Sequence, residues 1–492
     1  MARYLPLDHF CPWREEAEEL RERLTALEAK TATLERHVFG KRSERLPTVR
    51  QLLRDEQAGE DTEERRQQAL DKRREREARR AEAPTRQIHH AVPELQRQCP
   101  ACGSDELKPL GQGRTTMVYE YIPARFEKQV HVQETLACAC GKGVVTAAAP
   151  PKVVDRGEYG PGFISHVVSA KCADSLPLHR LAQRLERGGV PMSRSTLTDL
   201  FHVAAEVLAP LSARLLQHIA RAEVVWADET PLRVLEVKKT RRGYLWTFLT
   251  WNERSEWLIG YRFSRSRAGQ TPREVLGGTT GALVVDAYTG YNTVTVPNGR
   301  VRVGCWAHVR RKFFEALSTT PEAQQVLDSI LSLYRVEHEV LKADLVRTPA
   351  HKALRQDRSR LVLEALHVHL QAQQGLHLPK GPMGQAIAYT LNQWQALCRF
   401  VDNERLPLDN NRSEGALRKA ALGRKNFLFV GNDVAGENLA GLYALVATCE
   451  ANGLNPETYL ADMLLRVQTH PNSRLDELLP HEWKRLRAAD SS

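Results

Sequence analysis

Two apolar segments, each reaching an acidic residue, constrain the fold of this chain more than any other feature. The segment EVVWADE runs into Asp228 and Glu229, and the segment GALVVDAYTGYN runs into Asp286. Short apolar runs rich in β-branched residues are typical of buried strands. Carboxylates are rarely buried without a partner, because removing their charge from water is costly. Either each strand ends at an exposed turn, or a positive group such as a divalent metal ion lies beside these acids.

The predicted elements around the two acids follow the order of an RNase H-like domain. EVVWADE, YLWTFLTW and EWLIGYRFS predict three strands, and a helix is expected near TPREVLGG. GALVVDAYTGYN and VRVGCWAH predict two more strands ahead of the basic segment VRRKFFEAL. In such a domain, acids at the ends of the first and fourth strands meet on neighbouring central strands. We therefore expect Asp228 and Asp286 to lie close together.

A third acid would complete a site for two metal ions that cleaves phosphodiesters. Mg²⁺ prefers hard oxygen ligands and keeps several waters, so two or three carboxylates suffice. Side chains alternate along a strand, which favours Asp228 as the ligand, with Glu229 pointing away or supporting the site from outside. The third candidate is Glu414, early in a helix predicted within LPLDNNRSEGALRKAALGRKNFLF, although Asn411 and Glu414 also fit a purely structural capping box. Four basic residues downstream suit phosphate contacts: Arg418, Lys419, Arg424 and Lys425.

The overall composition favours a cytosolic protein with a polyanionic partner. The 492 residues are enough for three to five domains, and no apolar run is long enough to span a membrane. The beginning, MARYLPLDHFCPWREEAEEL, lacks the apolar stretch of a signal peptide. Lys and Arg number 70 against 60 Asp and Glu, a net charge of +10 that weakly favours nucleic acid.

Two short cysteine motifs frame a β-rich stretch, which is the pattern of a zinc ribbon. Cys99 and Cys102 lie in CPACG, and Cys138 and Cys140 lie in CACG. Four thiolates would close a tetrahedral structural Zn²⁺ site. The second motif is one residue shorter than the usual spacing, so a ribbon that keeps its fold without metal is the alternative. A redox pair is less favoured, because no βαβ pattern surrounds the cysteines.

The stretch LPLHRLAQRLERGGVPMSRSTLTDLFHVAAEVL predicts two amphipathic helices. The first begins near Pro177, the chain breaks at Gly188 and Gly189, and Ser193 caps the second helix. This arrangement fits a DNA-binding helix-turn-helix, although an ordinary helical hairpin fits the pattern equally well. Candidate DNA contacts at the start of the second helix are Arg194, Ser195 and Thr198.

The N-terminal region predicts self-association. Residues 14–38 carry apolar or small side chains at a and d positions of three heptads, which favours a short coiled coil over a helix packed on its own chain. Residues 55–85 are strongly charged and nearly free of apolar side chains, so they predict a solvated helix or a disordered linker.

Several segments together resemble the transposases of the insertion-sequence-66 family. They are WADETPLRVLE, VVDAYTGYN, CWAHVRRKFFEA and PLDNNRSEGALRKAALGRKNFLFVGN, joined by VFGKRSERL, the cysteine motifs, LPLHRLAQRLERGGVPMSRSTL, NGLNPETYLADML and LDELLP. These segments extend over most of the chain, and their order and spacing are highly specific. The shortened motif at Cys138 and Cys140 departs from the family pattern.

The resemblance implies a bacterial DDE-type transposase acting in the cytoplasm at the nucleoid, with Asp228, Asp286 and Glu414 as its metal-binding triad. Two Mg²⁺, or Mn²⁺, would activate water to cut the ends of the element, and the freed 3′-OH would attack target DNA. The matching His-x-Arg-Arg segment would support DNA or active-site contacts through His308, Arg310 and Arg311. The partners implied are inverted-repeat ends, target DNA, a second subunit and small companion proteins of the element.

Two other functions fit the same sequence features. A structure-specific nuclease or resolvase on the same fold would cleave DNA without joining it, and a transposase-derived protein could bind DNA without catalysis. No phosphate-binding Gly-x-x-x-x-Gly-Lys-Ser/Thr motif occurs, which argues against nucleotide-driven chemistry.

The predicted organisation is a multidomain α/β protein. Residues 1–54 would form the N-terminal helix or coiled coil, 55–90 a charged linker, 91–150 the zinc-ribbon-like module and 151–218 the helix-turn-helix-like segment. The RNase H-like domain would take 219–310 and 405–450, on either side of a helical insertion at 311–404, and a helical tail would occupy 451–492.

Overall fold

The computed structural model describes residues 48–56, 62–81, 126–137, 144–155 and 157–490. The predicted coiled coil of residues 14–38 lies outside these ranges, and so do Cys99, Cys102, Cys138 and Cys140. The described residues divide into two compact units: the first ends before His131, and the second begins at His131.

In the first unit, helix α1 spans Val49–Glu56 and helix α2 spans Thr62–Ala81. The described side chains of α2 are exposed, and Arg73 donates to Glu77 at 2.9 Å, one helical turn away. Pairs at this spacing stabilise solvated helices modestly. Residues 62–81 of the charged segment are therefore helical.

The second unit begins with a short hairpin and three helices. Strand β1, Thr135–Ala137, pairs antiparallel with β2, Val144–Thr146. Helices α3, α4 and α5 follow at Pro161–Cys172, Leu178–Arg187 and Arg194–Arg221.

The predicted break between α4 and α5 is confirmed. Pro177 precedes α4, Gly188 follows it, and Gly189 takes a φ of +81° that suits glycine. The Ser193 hydroxyl accepts the Thr196 amide at 3.0 Å, so the N-cap of α5 forms as expected.

A five-stranded mixed sheet forms the centre of the second unit, in the order β5-β4-β3-β6-β7. The first three strands pair antiparallel, and β3, β6 and β7 pair parallel. The predicted order of three strands, a helix and two strands is confirmed. The elements are β3 Val224–Glu236, β4 Lys239–Trp251, β5 Trp257–Ser264, α6 Gln270–Leu276, β6 Gly281–Val284 and β7 Arg300–Val303.

Strand β3 does not end at Asp228, so this part of the prediction was wrong. The strand continues to Glu236 and pairs with β4 along almost its whole length, from Trp226 opposite Leu249 to Glu236 opposite Lys239. Asp, Glu and Pro are unfavourable in strands, which is why the sequence indicated an end. Continuous pairing within the hairpin outweighs that local preference.

Helices cover both faces of the sheet. A Cβ added at Gly260 of β5 would come within 2.4 Å of Leu216 in α5, and one added at Gly436 would come within 2.7 Å of Phe263 in β5. Gly260 and Phe263 are three positions apart on β5 and therefore face opposite sides. Hence α5 lies on one face, and the helix that contains Gly436 lies on the other.

The stretch between β7 and the third acid is helical, as expected for an insertion. After β7 come α7 Trp306–Leu317, α8 Ala323–Lys342, α9 Pro349–Leu354, a π-helix Arg355–Ser359, α10 Arg360–Gln374, α11 Pro382–Asn392, α12 Trp394–Cys398 and a 3-10 helix Arg399–Asp402. The chain then forms α13 Asn411–Phe427, α14 Asp433–Ala451, α15 Pro456–Arg466, a 3-10 helix Asn472–Leu478 and α16 Pro480–Asp490.

A buried arginine ties this helical stretch to the loop before α13. Arg355 is 1% exposed and makes two hydrogen bonds of 2.7 Å to Glu337 of α8. It also donates to the backbone carbonyls of Phe400, Asn403 and Leu406. A buried cation needs such compensation, so this network fixes the approach to α13.

Among the described residues, none of the helices has the length and apolar character to cross a membrane.

Candidate active site

Asp228, within β3, and Asp286, just beyond the end of β6, lie level with each other on neighbouring segments of the sheet. The parallel pairing of β3 with β6 ends where Trp226 lies opposite Val284. Asp228 follows two residues later within β3, and Asp286 follows two residues after the end of β6, so both lie where β3 loses this neighbour. The structure therefore brings the first two acids together, as the strand order predicted.

Backbone groups fix both carboxylates. Oδ1 of Asp228 accepts the Glu229 amide at 2.8 Å, and Oδ1 of Asp286 accepts the Tyr288 amide at 2.9 Å. Arg302 of β7 donates to the carbonyl of Asp286 at 2.6 Å. These bonds orient the acids but leave other carboxylate oxygens available.

The electrostatics link Asp228 to the other acids. The pKa of Asp228 is raised to about 7, first by burial and then by the charges of Glu229, Asp286 and Glu414. Carboxylates that act on one another in this way repel, and a cation bound among them would reverse that penalty. The third predicted acid is thus close enough to influence Asp228.

Glu414 lies in the first turn of α13 and faces α7. Its carboxylate is 3.6 Å from Nε2 of His308 and 3.7 Å from the guanidinium of Arg311. The alternative capping box does not form: Asn410 precedes the helix without a side-chain cap, and Asn411 bonds to Asp409 instead. The Glu414 side chain is therefore directed toward the site rather than used as a cap.

Asn410 connects the elements that carry the acids. Its Nδ2 donates to the carbonyl of Ala227 at 3.0 Å, one residue before Asp228, and its backbone amide donates to Sγ of Cys305 at 3.2 Å. The residue is 1% exposed, and its Oδ1 is buried without a hydrogen-bond partner. Rotating the amide would place this oxygen against the carbonyl of Ala227, so the orientation is determined.

Asp409 joins the same loop to the helical insertion. The hydroxyl of Tyr334 in α8 donates to Oδ2 of Asp409 at 2.8 Å. Burial raises the pKa of Asp409, whereas the Asn411 amide and Tyr334 lower it. The insertion thereby helps to hold the start of α13.

Glu229 has its own hydrogen-bond partners, separate from those of Asp228. Its side chain is 3% exposed and accepts from the Tyr291 hydroxyl at 2.8 Å and from Nε of Arg267 at 2.7 Å. The Arg267 guanidinium lies 4.0 Å from the ring centre of Tyr288. Burial raises the pKa of Glu229, and its two partners oppose that shift. Adjacent strand residues face opposite sides, which fits the expectation that Glu229 points away.

The candidate DNA contacts on α7 and α13 differ in accessibility. Arg310 is 6% exposed and burial lowers its pKa, whereas Arg311 is exposed beside Glu414. On α13, Arg418 and Lys425 are exposed. Lys419 is ion-paired with Glu450, and Arg424 donates to the carbonyl of Pro231.

The candidates of the helix-turn-helix-like segment lie at the start of α5. Arg194 and Ser195 are exposed, and Ser195 bonds to the hydroxyl of Ser193 at 2.7 Å. The Thr198 hydroxyl donates to the Arg194 carbonyl at 2.9 Å, so its side chain is partly occupied within the helix.

Sequence reasoning missed the contacts that organise this site. The partners of Glu229, the link from Asn410 to Ala227 and the link from Tyr334 to Asp409 join positions 38 to 183 residues apart. Contacts across such separations leave no local signal in the sequence.

The donor chemistry suits a hard divalent cation. Asp228, Asp286 and Glu414 supply carboxylate oxygens, and Asn410 Oδ1 adds a buried oxygen without a partner. Such oxygens are the ligands that Mg²⁺ and Mn²⁺ prefer. Within the described ranges, no three His, Cys, Asp or Glu side chains form a ready-made ligand cluster, and Glu414 interacts with His308 and Arg311 instead.

Comparison with known proteins identifies the family. The protein-family model described as "Transposase IS66 family" matches residues 156–438, which is more than half of the chain. The IS66 C-terminal element matches residues 444–481, and the zinc-finger binding domain of transposase IS66 matches residues 96–141. The chain belongs to the IS66 family of DDE transposases.

Similar proteins occur in Sinorhizobium fredii. The uncharacterized protein y4hP is 28% identical over 500 residues, covering 95% of this chain and 90% of that protein. The uncharacterized protein y4jD is 32% identical over 401 residues, covering 78% of each chain. The zinc-finger match spans both cysteine motifs of the sequence.

Proposed function

We propose that this protein is a DNA transposase that binds the terminal inverted repeats of its element and catalyses metal-dependent cleavage and strand transfer. The observation that carries the proposal is the placement of Asp228 in β3 and of Asp286 just after the parallel neighbour β6, with the charges of Asp286 and Glu414 both acting on Asp228. Membership of a DDE transposase family supports the reaction class.

The catalytic domain is proposed to be RNase H-like. Three antiparallel strands followed by a helix and two parallel strands support this, and so does the placement of one acid within the first strand and of another just after the fourth. The helical stretch between β7 and α13 would be an insertion that keeps Glu414 beside the sheet. Its contacts through Arg355 and Tyr334 support that role.

Asp228, Asp286 and Glu414 would hold two divalent ions, Mg²⁺ or Mn²⁺. When bound, these ions would activate the attacking oxygen and stabilise the leaving oxygen of an in-line displacement. The strands fix the two aspartates, and Asn410 holds the start of α13 against β3. His308 and Arg311 balance the charge of Glu414 and present positive groups where DNA phosphates would approach.

The remaining regions would bind DNA ends and pair subunits. The module at 91–150 is proposed to hold a structural Zn²⁺ through its four cysteines, and the segment at 151–218 to contact DNA at the start of α5. Exposed Arg194 and Ser195 support that surface. The N-terminal helix would help to pair two subunits, because two DNA ends must be joined in one event.

Strand transfer tests the proposal directly. Purified protein, any companion proteins of the element, labelled DNA with the element's own ends and a plasmid target would be incubated with Mg²⁺. Wild type would be compared with Asp286→Asn and with Asp328→Asn, an exposed acid on α8. We expect joined products from wild type and Asp328→Asn, and none from Asp286→Asn.

The other outcomes separate the rival functions. Metal-dependent cleavage without joining would indicate a nuclease or resolvase. Binding to the ends without cleavage, even in Mn²⁺ and with the companions present, would indicate a non-catalytic DNA-binding protein and would contradict the roles assigned to the three acids.

A further inference from the structure

The hairpin of β3 and β4 extends beyond the rest of the sheet. Pairing with β6 ends at Trp226, and pairing with β5 begins only at Tyr244. Residues 231–243 therefore form a two-stranded ribbon, here called the β3–β4 ribbon. At its tip Val237 is 87% exposed and Lys238 takes a left-handed φ of 61°.

One face of the ribbon is packed and its charges are paired. Leu232 and Val234 are buried, and the backbone of Val430 bonds to the ribbon beside them. Arg241 lies 3.1 Å from Glu236 and is also ion-paired with Asp433. This face belongs to the folded core.

The opposite face is open, and its cations have no acidic partner among the described residues. Arg233 and Arg242 are both exposed and lie directly opposite each other across the two strands. Within the described part of the chain, neither forms an ion pair, and Arg233 has only a 3.4 Å contact to the Thr240 hydroxyl. Leu235 is 45% exposed beside them. We call this surface, with Arg233, Leu235, Arg242 and Lys238, the outer ribbon face.

The like-charged pair identifies the kind of ligand that fits. Like charges directly opposite each other on adjacent strands destabilise a sheet, so the pair has a cost in the isolated protein. A polyanion would turn that repulsion into attraction. Arg262 on β5, opposite Trp246, extends the exposed basic surface away from the ribbon.

We infer that the outer ribbon face, on the side of the sheet opposite the Asp228 carboxylate, binds the backbone of double-stranded DNA. The inference rests on the proposed function, which supplies DNA as the partner, and it adds a contact surface to it. Exposed arginines contact phosphate oxygens of duplex DNA and position a protein on it without reading the sequence. Arg233 is five residues after Asp228, or roughly 16 Å along an extended strand. That odd spacing places the two side chains on opposite faces of the sheet, so the ribbon would hold a stretch of duplex other than the one at the acids.

The test measures DNA affinity against salt. Full-length wild type, Arg233→Gln/Arg242→Gln and the control Arg358→Gln/Arg360→Gln would be titrated with a labelled 30-base-pair end duplex between about 50 and 200 mM NaCl. The control removes two surface arginines that are ion-paired with Glu339 and Asp402. In a plot of log binding constant against log salt concentration, each phosphate contact contributes about 0.9 to the magnitude of the slope. The slope of the ribbon variant should therefore be smaller by nearly 2, and its affinity should be roughly tenfold lower. The control variant should keep the wild-type slope and affinity.

A second variant distinguishes binding from folding. Arg242→Glu would place opposite charges across the strands, so its melting temperature should equal or exceed that of wild type while its DNA affinity falls further. A drop in melting temperature in step with the lost affinity would indicate a structural role and contradict the inference.

The outcomes also separate this inference from the proposed function. If wild type binds the duplex and the double ribbon variant keeps its affinity and slope, the inference is wrong and the proposed function stands. If wild type binds no duplex at any salt concentration, the proposed function fails as well. An equal loss with a single-stranded oligonucleotide of the same length would contradict recognition of a duplex.

Discussion

Replacing Asp228 with asparagine should stabilise the protein when no metal is present. Burial and the charges of three neighbouring acids raise the pKa of Asp228 from its usual 3.8 to about 7. One pKa unit corresponds to about 1.36 kcal/mol, so keeping this carboxylate ionised costs the folded protein about 4 kcal/mol. Asp228→Asn removes that charge while preserving the shape of the side chain.

The effect has a defined pH dependence. Below about pH 4 the carboxyl is protonated in both the folded and the unfolded chain, and it imposes no cost. Between about pH 4 and 7 the unfolded chain loses the proton first, so the stability of wild type falls as the pH rises. Above about pH 7 the full cost is present.

Urea unfolding in EDTA, followed by tryptophan fluorescence, measures this difference. We expect the stability of Asp228→Asn relative to wild type to rise by about 4 kcal/mol between pH 4 and pH 8. Glu253→Gln, at an exposed turn position, controls for loss of one negative charge and should show no such rise. A relative stability that stays constant or falls toward pH 8 would refute the account of Asp228 as an uncompensated buried acid.

Three further substitutions test the supporting structure. Arg355→Ala should lower the free energy of unfolding by about 3–5 kcal/mol in urea titrations, because it removes a buried guanidinium that bonds to three backbone carbonyls and to Glu337, which would keep His351 as its partner. Asn410→Ala should slow strand transfer by roughly 10- to 100-fold by loosening α13 from β3, whereas Asn472→Ala, exposed on the 3-10 helix Asn472–Leu478, should leave the rate unchanged. Gly260→Ala should cost about 1–3 kcal/mol in the same titrations, since its Cβ would come within 2.4 Å of Leu216.

Local patterns in the sequence were sufficient for the order of the central elements. The β-branched and aromatic runs predicted strands at the observed places, and the glycines after α4 predicted the break before Ser193. These features depend on near neighbours in the chain, which a sequence displays directly.

The continuation of β3 and the support of the site depend on distant residues. Asp228, Glu229 and Pro231 are poor strand formers, and only pairing with β4 carries the strand past them. The bonds of Asn410 to Ala227 and of Arg267 to Glu229 exist because the fold brings remote segments together. The unpaired face at Arg233 and Arg242 likewise becomes visible only once the cross-strand register is known.

The most direct test of the central claim is to locate bound metal at the three acids. Crystals of the protein with an end duplex and Mn²⁺ would be measured at the manganese absorption edge. The account predicts anomalous density between Asp228, Asp286 and Glu414, with Glu414 drawn away from His308 and Arg311 and with the density lost in Asp286→Asn. Manganese bound elsewhere, with Glu414 still held by His308 and Arg311, would contradict it.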